Sequence, residues 1–372
     1  MIFWLGVLIM TNDWLNEILI RGETDLSWQD LAQESALVDS LRAKVFNITP
    51  ANVSQVIQER YLRSAECKAH APRTLSHLLG LFLPTFSQFC QNDLQIPPQT
   101  MLQVLWDLWL PLGIKIASSR KDLGRPLIQG ILGGQGTGKT TMSRILSLIL
   151  QQLGYRTLSL SLDDLYKTYS DRLALTQQDP RLIWRGPPGT HDIDLGLSLL
   201  EQLRQGKSPV SVPRFDKSAY SGAGDRTTPE IVENVDIVLF EGWFVGVQPI
   251  DPESFTNAPA PIITDEDRVF ARDMNDQLRN YRPLWQHLDS LIVLYPTDYR
   301  CSLEWRKQAE KQMIATGKPG MTDAEIEEFV KYFWRALHPE LFIKPLITSS
   351  TVDLVIEVNT DHSFGAVYNY ST

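Results

Sequence analysis

Eight residues constrain this chain more than any others: Gly133-Gly134-Gln135-Gly136-Thr137-Gly138-Lys139-Thr140. They fit GxxxxGK[ST] and sit between an apolar run, Leu127 to Leu132, and an amphipathic stretch, Lys139 to Leu153, closed by Gly154. A strand before and a helix after give the motif its meaning. Glycines let backbone N–H groups curl around phosphate oxygens, and the helix N-terminus adds its dipole. Lys139 brings a point charge and Thr140 a hydroxyl for Mg²⁺. With Thr141 next in the chain, these residues form the candidate nucleotide-binding set.

The texture around the motif alternates short apolar runs with helical stretches, as a parallel sheet with crossover helices requires. Expected strands are Leu127 to Leu132, Thr157 to Leu162, Val235 to Phe240, Leu288 to Leu294 and Val352 to Val358. Expected helices run from Lys139 to Leu153, from Ile193 to Gln205, around Glu304 to Ala315, and from the capping box Thr322-Asp323-Ala324-Glu325 to Ala336. Before the motif the pattern is helical: Trp28, Leu31, Ala32, Leu37 and Leu41 recur near a 3.6 spacing, and Thr49-Pro50 reads as an N-cap with proline at N1. The aromatic stretch Leu105 to Leu112 reads as core. Polar Ser118 to Pro126 reads as the linker. The expected organisation is therefore a helical domain over 11–118 and an α/β domain over 126–372, with a mostly parallel central sheet flanked by helices.

Composition narrows the partners. Of 372 residues, 43% are hydrophobic and 21% charged, which is ordinary for a soluble globular chain. With 35 basic against 44 acidic side chains the net charge is −9, which disfavours a nucleic-acid or anionic-membrane surface; an anionic substrate must meet a local basic cluster. Cys67, Cys90 and Cys301 show no paired spacing and read as reduced thiols in a cytoplasmic protein. The apolar Met1 to Met10 run falls short of the ~20 residues of a membrane span and lacks the flanks of a signal peptide. A start at Met10 and a genuine buried extension both fit it.

Several side chains are candidates for chemistry. Asp163 and Asp164 follow the Thr157 to Leu162 strand at the carboxyl edge, where open α/β sheets gather ligands. A carboxylate there can take or orient the proton of an attacking hydroxyl, or hold Mg²⁺ through water. A helix cap needs one of the two. Glu241, ending Val235 to Phe240, is placed to position metal or water, with Thr140 as its partner for Mg²⁺; an ordinary strand-end glutamate is the bland alternative. Two loops look built for an anion: Arg185 to Asp192, carrying Arg185 and His191, and Pro213 to Lys217 leading through Ser221 to Gly224 to Asp225-Arg226. Arginine can hold a carboxylate bidentately, and aspartate can hold hydroxyls. Arg185, His191, Arg214, Lys217, Asp225 and Arg226 thus join Asp163 as candidate acceptor-binding residues, though His191 could equally cap the helix at Ile193. Glu304 to Lys311, followed by Gly317-Lys318-Pro319-Gly320, reads as a lid near 300–320 that closes over ATP and excludes water.

Together these segments resemble the D-glycerate 3-kinases of plant and cyanobacterial type, relatives of phosphoribulokinase, uridine kinase and bacterial pantothenate kinase. The resemblance covers roughly Pro126 to the C-terminus. It is carried by Ser161 to Tyr166, Arg185 to Asp192, Pro213 to Lys217 with Asp225-Arg226, Phe240 to Trp243, Leu278 to Tyr281, and Glu304-Trp305-Arg306 leading to Lys318 to Asp323. It implies a P-loop kinase fold and ATP-dependent, Mg²⁺-requiring phosphorylation of the 3-hydroxyl of D-glycerate, as in photorespiratory carbon recovery. By the same matching the family's catalytic aspartate falls on Asp163. Lys139 and lid Arg306 then balance γ-phosphate charge, while Thr140 and Glu241 manage Mg²⁺. Plant members carry a chloroplast targeting extension; none is expected here, and a bacterial cytoplasmic setting is the expectation. Rival readings are a kinase of a nucleoside, pantothenate or a sugar phosphate, and an ATP-binding regulatory module without phosphoryl transfer.

Overall fold

A computed structural model describes residues 75–369 apart from 316, 318 and 319. The helically spaced positions Trp28 to Leu41, the Thr49-Pro50 cap, Cys67 and the apolar N-terminus lie outside the described residues. So do Lys318 and Pro319 of the expected lid hinge.

The chain divides into two units, and the division falls between Gly124 and Arg125, with 141–157 joining the first. What is described of the first unit is helical, and the aromatic stretch does pack a core: Leu105, Trp106, Leu108, Trp109, Leu110 and Leu112 are all buried. Five of its residues form a π turn, Leu105–Trp109, between the helices Gln99–Val104 and Leu110–Leu123. The expected linker is shorter than its polarity suggests. Ser118 to Leu123 continue the helix, because Arg120 and Lys121 are good helix formers and suit the negative end of its dipole. The stop comes at Gly124, whose φ of 66° closes the last turn onto the Lys121 carbonyl.

The second unit holds a six-stranded, mostly parallel sheet. Its strands are β1 Leu127–Gly133, β2 Thr157–Ser161, β5 Ile237–Gly242, β6 Ser290–Pro296, β7 Leu354–Val358 and β8 Phe364–Tyr368, in the order β2-β5-β1-β6-β7-β8. β1 pairs in parallel with β5 and β6, β6 with β7, and within this sheet only the β7–β8 pair is antiparallel among the registers described. All seven residues of β1 are buried, which explains its continuous apolar run: a strand covered on both faces has no polar side to alternate. Register places Leu132 of β1 opposite Gly242 of β5, so the phosphate loop and Glu241 leave the sheet at one edge.

Five strands were legible as apolar runs. β8 was not, nor were β3 Val210–Asp216 and β4 Asp225–Val232, an antiparallel pair outside the main sheet. Pro213 to Arg226, expected as a loop, is thus a hairpin. Its strands carry Pro213 and Pro229, and β4 is largely exposed, so neither an apolar run nor clean alternation marks it. The helices Tyr169–Gln178, Asp265–Gln277 and Pro339–Leu346 also escaped the periodicity. The described cysteines, Cys90 and Cys301, are free thiols. Among the described residues no helix is long and apolar enough to cross a membrane.

Candidate active site

Three strand ends build the site. After β1 the chain turns tightly: Thr137 Oγ1 donates to the Gly134 carbonyl at 2.9 Å, and Lys139 Nζ folds onto the same carbonyl at 2.8 Å. Gly136 is obligatory there, since its φ is +78° and a Cβ would stand 2.7 Å from Trp305 Cβ. The backbone thus leaves a concave cradle with its lysine already turned inward, and Gln135 Oε1 is buried without a hydrogen-bond partner. Burial lowers the Lys139 ammonium below its usual range, although the charges of Glu241 and Asp163 work the other way. A cradle, an inward ammonium and an adjacent hydroxyl suit a polyphosphate. Thr140 donates to Glu241 Oε1 at 3.4 Å, a hydroxyl and a carboxylate side by side on the cleft, which are hard oxygen donors fit for Mg²⁺ shared with phosphate. No group of three or more His, Cys, Asp or Glu among the described residues forms a metal site of its own.

After β2 the two aspartates part company. Ser161 caps the 3₁₀ turn Leu162–Leu165 by accepting from the Asp163 amide, and Asp164 Oδ2 reaches back to accept from the Ser161 amide at 3.0 Å. Asp164 also pairs with Arg214 at 2.9 Å. Burial still raises its pKa against those contacts. Asp163 faces the cleft instead. Its Oδ2 lies 2.6 Å from Lys217 Nζ, and the Tyr166 hydroxyl donates to the same carboxylate. Burial opposes its ionisation, but Lys217 and Tyr166 outweigh burial and hold the carboxyl below the ordinary range.

A cleft of about 710 Å³ brings together Gln135, Gly136, Lys139, Thr140, Asp163 and Glu241 with Arg185, Lys217 and Arg306. Arg306 Nη2 pairs with the buried Glu310 at 2.7 Å and its guanidinium lies over Phe329. Arg185 Nη1 donates to the Gly222 and Ala223 carbonyls, at 2.6 and 3.0 Å. Tyr166, Trp184, Trp243 and Phe333 line the same cleft, and residue-type reasoning assigned none of them a role. Tyr166, two residues beyond the aspartate pair, was the available signal.

Four candidate acceptor residues do not line the cleft. Arg214 is spent on Glu230, at 2.6 and 2.8 Å, and on Asp164. Arg226 pairs with Asp192 at 2.7 Å and donates to the Tyr166 carbonyl. Asp225 accepts from the Tyr169 and Arg226 amides. These contacts fasten the hairpin to the segment that carries Asp163. His191 is buried under the Tyr166 ring, with centroids 4.6 Å apart, and its Nδ1 lies 2.7 Å from the Tyr281 hydroxyl. Burial drives its pKa down to about 3, despite the Asp163 charge nearby. Nor does His191 cap the following helix: Asp192 does, accepting from the Leu195 amide.

No family model matches the chain. Over 270 residues it is 31% identical to a probable ATP-dependent kinase of Saccharomyces cerevisiae, across 66% of this chain and 88% of that protein. The chain belongs to the ATP-dependent P-loop kinases. Within that family it is 32% identical over 251 residues to the chloroplastic D-glycerate 3-kinase of Arabidopsis thaliana, of whose length it spans about half, 53%. The solved D-glycerate 3-kinase of Cryptococcus neoformans superposes with a TM-score of 0.64 at 27% identity, covering 70% of this chain and 99% of that structure. The resemblance carried by the motifs is therefore matched in sequence and in fold, and this P-loop kinase has its glycine cradle and its two cleft carboxylates on neighbouring strand ends.

Proposed function

We propose that this kinase transfers the γ-phosphoryl group of ATP to the 3-hydroxyl of D-glycerate, giving 3-phosphoglycerate and ADP. The observation that carries the reading is one cleft shared by the phosphate cradle, the carboxylate of Asp163 and two cations, Lys217 and Arg185. A small acceptor with a hydroxyl and a carboxylate uses all of them. Its carboxylate is drawn to Arg185 and Lys217, and that leaves its hydroxyl beside Asp163.

Phosphoryl transfer asks little covalent chemistry of a protein and much positioning. Asp163, ionised at neutral pH by its surroundings, accepts the acceptor's hydroxyl proton as that oxygen bonds to the γ-phosphorus and the bond to ADP breaks. Lys139 and Arg306 supply the charge that balances the transferred group, and Arg306 reaches the cleft from the Cys301–Ala315 helix. Thr140 and Glu241 are the residues that would hold Mg²⁺, which when bound neutralises phosphate charge. The Cys301–Ala315 helix already packs Trp305 against the cradle, which is the place a closing lid would press.

The test is acceptor-dependent ADP release across D-glycerate, other small hydroxy acids, nucleosides, pantothenate and sugar phosphates. D-glycerate should give the highest kcat/KM. Release with a nucleoside or pantothenate and none with D-glycerate would replace this substrate by the other.

A further inference from the structure

The ion pair of Asp163 with Lys217 sits in the cleft itself, at 2.6 Å. That is an odd partner for a proton acceptor. Tyr166 donates to the same carboxylate, so Asp163 has a cation on one side and a hydroxyl on another. Lys217 differs from the neighbouring basic residues in being placed to move. Its side chain is 62% exposed, against 25% for Arg214 and 26% for Arg226, and those arginines are tied to Glu230, Asp164 and Asp192. An ammonium on a flexible four-carbon stem exchanges partners readily.

We propose that Lys217 is a latch that determines acceptor class: it holds Asp163 until an acceptor binds and then passes to the acceptor's anionic group, which frees the base only when an anionic acceptor is present. The inference rests on the kinase reading with Asp163 as base, and extends it to what the cleft rejects. With the latch closed, water entering the site finds the carboxylate oxygen engaged, and ATP survives. With an anionic acceptor bound, Lys217 has a second carboxylate to pair with. The acceptor hydroxyl then gives its proton to Asp163, its oxygen bonds to the γ-phosphorus, and the bond to the β–γ bridging oxygen breaks with its electron pair leaving on ADP. The leak that the latch suppresses balances in the same way: water gives a proton to Asp163 and its oxygen to phosphorus, yielding ADP and inorganic phosphate. A neutral polyol of similar size, glycerol, has nothing to draw Lys217 away.

The experiment measures phosphate release from Mg-ATP without acceptor in the full chain, for wild type, Lys217→Met, Lys217→Gln, Lys217→Arg and the double variant Asp163→Asn/Lys217→Met. Loss of the latch should raise acceptor-free hydrolysis about tenfold, a small part of the ~10²–10⁴-fold that a positioned base contributes. Lys217→Gln should follow Lys217→Met, Lys217→Arg should rise less, and the double variant should fall back because the gain runs through Asp163. The preference for D-glycerate over glycerol in kcat/KM should shrink in Lys217→Met. If Lys217→Met and Lys217→Gln bind ATP yet hydrolyse it no faster than wild type, or if the double variant is as fast as Lys217→Met, the latch is wrong. Failure of D-glycerate as a substrate of wild type would remove the proposed acceptor, while acceptor-free phosphate release still decides the latch.

Discussion

Asp163 and Asp164 are adjacent, identical in type and opposite in task. Asp164 completes a capping box with Ser161 and pairs with Arg214, so it builds the turn that presents its neighbour. Asp164→Ala should therefore cost about 1–2 kcal/mol in urea unfolding, from a lost cap and from the loss of one of the two carboxylates that hold Arg214. Turnover per folded molecule should fall less than it does for a change at Asp163. Equal losses of turnover with unchanged stability would contradict this division of roles. The sequence could place this pair at a strand end but could not divide it, because the division depends on Arg214, fifty residues away and brought in by the hairpin.

Elements decide what such residues can reach. The β1–turn–helix unit was legible because its signals are local: an apolar run, glycines at fixed spacing, a helical period. The β3–β4 hairpin was not, and reading it as a loop turned Arg214, Asp225 and Arg226 into ligands when their partners lie across strands and turns. The Asp265–Gln277 helix did carry a signal, a Thr264/Asp267 capping box, but its charged face hid the period. The cradle is the element most exposed to test. In Gly136→Ala a methyl at φ +78° would meet Trp305 at 2.7 Å, and the strain of about 1–3 kcal/mol should weaken binding of a non-hydrolysable ATP analogue about tenfold in calorimetry. Unchanged affinity would mean that the loop does not grip phosphate in this shape.

At the scale of the molecule, the same packing that orders the site sets its response to acid. His191 is buried and neutral, its pKa driven from 6.5 to about 3 by burial, and His338 is shifted down for the same reason. A folded-state pKa below the unfolded one means that protons favour unfolding. The contribution is whole above pH 6.5 and is lost progressively as pH falls from there towards 3. Below 6.5 the free energy of unfolding should drop by up to about 1.4 kcal/mol per pH unit through His191, as measured by urea melts between pH 7 and 5. His191→Gln should flatten that slope; an unaltered slope would show that His191 carries a proton in the folded chain.

The proposed chemistry turns on Asp163 as the base across the cleft from the phosphate cradle. The most direct measurement compares D-glycerate-dependent ADP release at saturating Mg-ATP for wild type and Asp163→Asn, with ATP affinity measured on both. Loss of turnover by about 10²-fold or more at unchanged ATP affinity is the predicted result. Turnover retained in Asp163→Asn, with the same product, would contradict it.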